Sequence, residues 1–587
     1  MTKKDHNLRV HRRTIMLTLA AAGLVAWILV ELVQLQWMEA TTFRKQARGQ
    51  QESLIPLTPS RGAIFDTRGR ELAVTLEVDS LYADPSRLQN ATTVSRQLAK
   101  ILGQRSSDIR KQLSKEGKQF TWVARKVSPK TRTRIEELNI DGLGFLAENK
   151  RFYPKRQLAS HLLGYVGIDN QGLAGLEYQF DQQIRGQAGK RLAYRDAGGI
   201  RIPMQVHQPS TEGLGLVLTV DEVIQHIVER ELQAAVRSSR ARAGIAILMD
   251  PNTGDILALA NHPTYDPNQF ASYPKRNLRN LAISDCFEPG STFKVFTMAA
   301  ARRGGRLREG ELIDCRDGSI RIAGRTIRDH KPFGKLTPRE ILVHSSNVGA
   351  IEIGRRIPNQ AFYKQLQVLG FGSRTGVGLP GENPGILHSP KEWSRTSYAS
   401  LSIGHEVCVT PLQLTAALSA AINGGILREP RIIRAIVDQA GTVVDRPAAG
   451  SATRAIPKAV SDRLRMDMTE VVQDGTGQAA WIPGYTVGGK TGTAQKLESD
   501  GRYSSTRFVA SFFGFVPAER PAIALLVVLD EPRGNYYGGE TAAPVFARIA
   551  PPVLRYLRVP PDPGGSALRG TLARAEGGSA GARAAAR

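Results

Sequence analysis

Cysteine is nearly missing: Cys286, Cys315 and Cys408 are the three in 587 residues, too few for a disulfide scaffold and without the paired spacing of a metal site. An oxidising compartment could pair two of them and would leave one over; which two is open. The ten histidines offer no ligand pair at i, i+4, and Asp329-His330 reads as a polar loop, so neither a metal nor a cofactor is expected. Acidic residues are also short, 54 against 79 Lys and Arg, which gives a formal charge of +25. That balance raises nucleic acid as a partner. Aromatics are only 6%, however, and the basic residues are spread along the chain instead of gathered in one stripe, so a generally basic exterior attracted to anionic surfaces is the better reading.

Long apolar runs are scarce too, and the clearest lies near the start. Lys3, Lys4, Arg9, Arg12 and Arg13 stand against Asp5 in residues 1–13, and Thr14 to Val30 then carries no charge before Glu31. The stretch 14–36 is long enough to cross a bilayer, and no small-x-small cleavage site intervenes before Trp37. It is read as a retained transmembrane helix. The basic flank holds residues 1–13 in the cytoplasm and exports the chain beyond residue 37.

The remainder, within a chain that is 41% hydrophobic and 23% charged, has the composition of globular domains. Residues 37–225 are polar and made of short elements. Ala63–Phe65 and Leu72–Val74 flank Asp66-Thr-Arg-Gly69 as a hairpin, and Val94–Ile109 and Ser128–Leu138 read as helices, the second with Ser128 as N-cap and Pro129 behind it. The glycines of Gly172-Leu-Ala-Gly-Leu-Glu177 indicate close backbone approach, not chemistry. This segment is expected to be a non-catalytic pedestal.

Residues 226–558 form the second domain, whose first helix begins after Thr219-Val-Asp-Glu222, read as a capping box. Gly244–Met249 and Ile256–Ala260 make a hairpin, and Thr337-Pro-Arg-Glu340 and Thr410-Pro-Leu-Gln413 open helices. After Gly484 the period switches to two, so Tyr485–Gln495, Phe508–Val516 and Ala522–Leu529 read as a β-meander. A last helix, broken at Pro551-Pro552, ends near Leu557, and residues 559–587 are expected to be disordered for want of apolar content. The class is α+β, an antiparallel sheet flanked by helices.

Chemistry concentrates in Phe287-Glu-Pro-Gly-Ser-Thr-Phe-Lys-Val-Phe296. Pro289-Gly290 starts a helix near Ser291, and at i and i+3 Ser291 and Lys294 share a face of an otherwise apolar helix. Alone, Ser-x-x-Lys is weak: Ser272-Tyr-Pro-Lys275 matches it, although Pro274 opposes a regular turn there. Two further motifs, Ser345-Ser-Asn347 and Lys490-Thr-Gly-Thr493, come next in the order of penicillin-binding proteins and class A β-lactamases.

Those three motifs, with Arg61-Gly-Ala-Ile-Phe-Asp66, Gly172–Glu177, Val409-Thr-Pro-Leu-Gln413 and Tyr537–Phe546, resemble the class B penicillin-binding proteins from the anchor to about Leu557, closest to the septal peptidoglycan D,D-transpeptidases (the FtsI type). Gly404-His-Glu-Val departs from the Gly-Tyr-Gly or Gly-Gln-Gly of that family. The resemblance implies a serine β-lactamase-like transpeptidase domain on a dimerisation-type pedestal, in a bacterial inner membrane. It implies Ser291 as nucleophile and Lys294 as its base, kept neutral by burial and by the cation Lys490. Ser345 would relay the proton and Asn347 orient Lys294 and the substrate amide, while Lys490–Thr493 form an edge strand for an extended peptide. Thr491 and Thr493 would hold a terminal D-alanine carboxylate, Gly492 would admit the peptide, and the amides of Ser291 and Thr493 would make the oxyanion hole. Expected partners are D-Ala-D-Ala stem peptides, β-lactams at Ser291, an FtsW-type glycosyltransferase and other division proteins.

Other readings compete with this one. A β-lactamase lacks support because no Glu-x-x-Leu-Asn lies between Ser345 and Lys490, and a β-lactam sensor would carry Ser-x-Val where Ser345-Ser-Asn347 stands. A non-enzymatic scaffold conflicts with five intact polar positions. Within the family, an elongation enzyme would more often carry Asp in place of Asn347; the sporulation type is the other branch.

Overall fold

The computed structural model describes residues 3–39, 41, 52–114, 120–195, 201–448, 450–498 and 500–562. Its contacts divide it into two compact units, Met1–Pro59 with Gly186–Glu212, and Ser60–Arg185 with Gly213–Arg587. In the first, helix α1 (Lys3–Val33) continues into a π-helical turn at Gln34–Met38. Within it Val10–Met38 is long and apolar enough to cross a membrane, and the predicted span lies inside those limits. This unit also holds an antiparallel sheet with Gly189–Arg195 between Glu52–Leu57 and Arg201–Gln208.

The second unit begins with the predicted hairpin, Ile64–Phe65 antiparallel to Glu71–Ala83 around the Asp66 turn. Where one helix was expected over Val94–Ile109 there are two, Ala91–Leu102 and Ser106–Leu113. Gly103, at φ 66°, closes the first in the left-handed conformation that glycine supplies without strain. Ser128 caps Pro129–Glu136 as the sequence predicts.

The glycine-rich stretch at 172–177 delivers a buried carboxylate. A Cβ on Gly172 would lie 1.9 Å from the Glu177 carbonyl oxygen, so the chain folds back on itself there. Glu177 is thereby set between two buried arginines: Arg61 Nε donates to Oε2 at 2.5 Å and Arg151 Nε to Oε1 at 2.6 Å. Tyr153 donates its hydroxyl to the same carboxylate at 3.2 Å, and Arg61 reaches Asp181 at 2.5 Å.

One seven-stranded sheet crosses the expected boundary near residue 225. Gly215–Leu218 runs parallel to Ile64–Phe65 on one side and pairs antiparallel with Ile433–Val437 on the other. The capping box read at Thr219 is displaced: Asp221 caps α2 (Glu222–Ser239), accepting from Val223 N and Ile224 N. Thr219 instead donates its hydroxyl to the carbonyls of Ile256 and Arg431, because burial leaves it no solvent to bond.

A five-stranded antiparallel sheet comes after it: β1 (Ala243–Met249), β2 (Ile256–His262), β3 (Gly488–Leu497), β4 (Tyr503–Val516) and β5 (Ile523–Asp530), in the order β2-β1-β5-β4-β3. Side chains alternate across it. Ile245, Ile247, Leu526 and Val528 face one core with Phe296 and Leu414, whereas Ala246, Leu248, Leu525 and Val527 face another with Val228, Phe546 and Val553. With both faces covered, the sheet ends at β2 on one edge and at β3 on the other.

The last helix, Ala543–Tyr556, runs through Pro551 and Pro552 without the predicted break. Ile549, Ala550, Val553 and Leu554 are fully buried on both sides of the prolines, and that packing outweighs the lost backbone bonds. Residues 559–562 are placed as well: Asp562 accepts from the Thr486 amide and hydroxyl. Residues 563–587 of the expected tail lie outside the described residues.

Candidate active site

Helical winding starts at Gly290, not Ser291: Gly290–Phe293 is a 3-10 turn that passes into the α-helix α3 (Lys294–Arg303). In a 3-10 turn residues three apart eclipse one another, so the turn stacks Ser291 over Lys294. Gly290 lies at φ 56°, and a Cβ there would press on Thr493 O at 3.1 Å and Ala494 Cβ at 3.2 Å, which is why glycine precedes the serine. Ser291 is half-buried; the residues from Thr292 to Ala301 are buried.

The second motif joins α4 (Pro338–Val343) to α5 (Asn347–Gly354), both capped by side chains as the sequence predicts for α4. Ser345 is held at φ 58°, a left-handed conformation unusual for serine, and this turns its carbonyl and hydroxyl toward α3. Lys294 Nζ donates to Ser345 O at 2.6 Å, to Asn347 Oδ1 at 2.7 Å and to Ser345 Oγ at 3.3 Å. Lys490 Nζ reaches the same Ser345 Oγ at 3.1 Å. Both lysines therefore converge on the Ser345 hydroxyl, with Asn347 held on Lys294. Among the described residues Lys294 donates to these groups and not to Ser291, a bond that catalytic sites often tighten only with substrate present.

Both lysines are fully buried. Burial pushes the Lys294 amine down to about 7, with Asp329 pulling the other way. Lys490 is also held well below the ordinary lysine range, by burial first and by the charge of Lys294 second. In the sequence-based expectation Lys490 is the charge that neutralises Lys294; in the structure desolvation does most of that, and Lys490 is the one that feels its neighbour.

Asp329, a loop residue by its sequence context, fixes the second motif. Its carboxylate accepts from the amides of Asn347 and Val348 and, at 2.7 Å, from the Ser346 hydroxyl. A carboxylate across the first turn of α5 is where the helix dipole favours it. The only sequence signal was an acidic residue eighteen positions ahead of Asn347, with nothing local to mark it. Thr476 also escapes a sequence reading; its hydroxyl bonds that of Thr491 at 2.7 Å.

On β3, Lys490–Thr493 occupies the sheet edge as expected. Gly492 has a different reason from the one read in the sequence: a Cβ would meet Ser511 Oγ at 2.3 Å and Pro289 O at 2.9 Å, so it admits the nucleophile's own turn. The Thr493 hydroxyl accepts from Gly538 N at 3.0 Å, which explains why Tyr537-Gly-Gly539 accompanies the motif.

The atypical Gly404-His-Glu406 lies against the same turn. Gly404 at φ 80° sits where a Cβ would be 2.2 Å from Gly290 O. Glu406 occupies φ 59°, a left-handed position that glycine tolerates better. Glu406→Gly is expected to raise unfolding stability by about 0.5–1 kcal/mol, the left-handed strain relieved less the extra chain entropy. Urea unfolding measures it; a loss of stability would show that the Glu406 side chain contributes more than its backbone costs.

Residues 244–550 match the penicillin binding protein transpeptidase domain, and residues 56–218 the penicillin-binding protein dimerisation domain. Stage V sporulation protein D of Bacillus subtilis is 34% identical, covering 94% of this chain and 87% of that protein. The peptidoglycan D,D-transpeptidase FtsI of Escherichia coli is 35% identical over 92% of this chain and 90% of its own. The crystal structure of penicillin binding protein 3 from Mycobacterium tuberculosis, complexed with aztreonam, superposes with a TM-score of 0.69 at 29% identity, covering 87% of this chain and 98% of that one. The chain belongs to the class B penicillin-binding proteins, with a dimerisation and a transpeptidase domain. It is a serine-type transpeptidase of peptidoglycan synthesis.

Proposed function

We propose that this transpeptidase cross-links stem peptides ending in D-Ala-D-Ala through an acyl-enzyme on Ser291 during cell division. The observation that carries the proposal is a buried amine, Lys294, lowered to about 7, one turn from Ser291 and in contact with Ser345 and Asn347. At neutral pH a large share of Lys294 is uncharged and can take the Ser291 proton as Oγ attacks the penultimate D-alanine carbonyl. The C–N bond to the terminal D-alanine breaks, and the proton passes by way of Ser345 to the departing amine. Amides of Ser291 and Thr493 stabilise the oxyanion, at roughly 3 kcal/mol per donor. An amine of a second stem peptide then attacks the ester, gives its proton to Lys294, and restores Ser291. Lys490, beside Thr491 and the Ser345 hydroxyl, offers an amine N–H donor for the substrate carboxylate.

Fluorescent penicillin tests the acyl-enzyme: one label per chain, lost in Ser291→Ala, is expected, and rapid turnover of bound penicillin would favour a β-lactamase. Depletion tests the division role. Long filaments with segregated nucleoids are expected; swollen round cells would point to elongation, and normal vegetative growth with defective spores to the sporulation branch that the Bacillus relative represents.

The apolar helix and the family together make a membrane anchor with an extracytoplasmic catalytic domain, and the basic flank orients it with residues 1–13 inside. Alkaline phosphatase fused after Leu557 should accordingly be active and a fusion before Arg12 inactive. The inverted pattern would refute export. A membrane glycosyltransferase of the FtsW type and other division proteins remain the proposed partners, to be sought by cross-linking.

A further inference from the structure

Ser291 is bounded on one side by a buried helix and on the other by a five-residue lead-in, Cys286–Gly290, that is laced to residues 404–409. Cys286 forms a disulfide with Cys408. Phe287 and Val409 exchange both backbone bonds, each 3.0 Å. Gly290 N donates to Gly404 O at 3.1 Å. Between these ties lies Glu288, whose carboxylate accepts three donors: His405 Nδ1 at 2.7 Å, Glu406 N at 2.9 Å and the Tyr503 hydroxyl at 3.1 Å. Pro289 alone in the lead-in has no tie to that segment among the described residues.

His405 is the element of this clasp that the family pattern does not supply, since tyrosine or glutamine is expected there. A carboxylate only accepts, so the ring carries its proton on Nδ1, and among the described residues this is the one donor to Glu288 Oε2. The ring also meets Tyr503 edge-on at 5.0 Å, so its plane is fixed from β4 as well. Glu288 in turn is joined to Ser291 only through Pro289, a residue of restricted φ, and Gly290, whose carbonyl abuts Gly404.

We propose that His405 is a positioning residue for acylation: its Nδ1–H anchors Glu288 and thereby sets the Ser291 hydroxyl against Lys294. The proposal rests on acylation at Ser291 and goes beyond it in naming what holds the nucleophile in register. A misplacement well below an ångström slows a step of this kind without changing how ligand first binds. It therefore predicts a loss confined to the covalent step. A residue that merely supported the fold would reduce the number of competent sites and leave the rate at each of them alone.

The experiment is stopped-flow labelling of the full-length protein in detergent with a fluorescent penicillin, separating the non-covalent Kd from the acylation rate constant k2, with burst amplitude counting competent sites. In His405→Leu, k2 is expected to fall about tenfold with Kd within about twofold. In His405→Asn, whose side-chain N–H reaches the place of Nδ1, k2 should recover to within about threefold of the parent. A parental k2 in the leucine variant overturns the proposal, as does an asparagine variant as slow as leucine, or a fall in burst amplitude with k2 unchanged. Failure of the parental protein to acylate at all would be a distinct result, removing the acyl-enzyme reading itself and this inference with it.

Discussion

Lys294→Met is expected to lower penicillin acylation at Ser291 by about a thousandfold while leaving the melting temperature at pH 7 at or above the parental value. The activity loss follows from removing the amine one turn from Ser291, since among the described residues Lys490 touches Ser345 and Thr491 instead. The stability outcome follows from where the amine titrates. Burial lowers it from 10.5 to about 7, so between those values the unfolded chain binds a proton that the folded chain does not. Stability therefore rises with pH across that window, and below about 7 the folded protein bears the full cost of a buried cation, on the order of a few kcal/mol. Methionine removes that cost and fills most of the volume, while Asn347 Oδ1 and Ser345 O lose a donor, at about 1 kcal/mol each. The first effect is the larger. In the parent, the acylation rate should climb with pH through about 7 as Lys294 loses its proton. A flat profile there, or a methionine variant acylated at the parental rate, would move the base to another residue.

Glu177→Ala should cost about 3–5 kcal/mol of unfolding free energy. Arg61 and Arg151 have side chains 2% and 1% exposed, and Glu177, wholly buried, is the carboxylate both of them share. Arg61 keeps Asp181 when Glu177 is removed, and Arg151 keeps only neutral oxygens, those of Gly62 O at 2.8 Å, Arg61 O and Thr75 Oγ1. Chemical denaturation reads the loss. A change under about 1 kcal/mol would mean that water enters to solvate the two guanidinium groups. Because the contacts of Glu177 are with Arg61, Arg151 and Tyr153, the molecules that remain folded should label with penicillin at the parental rate.

The sheet, its edge strand and the capped helices at Thr337 and Thr410 were readable because each rests on a local signal: period two, or a threonine with its partner three residues on. The motifs carrying Ser291, Ser345 and Lys490 were readable for the same reason. The features that escaped depend on distant partners. Asp329 has no pattern of its own, Thr219 is drawn from a cap into a buried bond with Arg431, and Pro551-Pro552 stays helical because the surrounding core holds it. Gly103, which splits a predicted helix, is a left-handed stop legible in principle, hidden by the apolar spacing that continues across it. The pairing of Cys286 with Cys408, left open by spacing alone, needed the backbone exchange between Phe287 and Val409 that brings the two chain segments side by side.

The seven-stranded sheet makes the pedestal and the catalytic half a single inheritance. Ile433–Val437 depends on Gly215–Leu218 for its neighbour, and that strand on Ile64–Phe65, so a cut near residue 225 would leave an open strand edge in the catalytic half. A recombination event that imported residues 226–558 from a diverged relative would have to find its new pairing partners already compatible in the resident pedestal. Mosaic descendants of this chain should therefore have crossovers that keep 64–65, 215–218 and 433–437 from one parent.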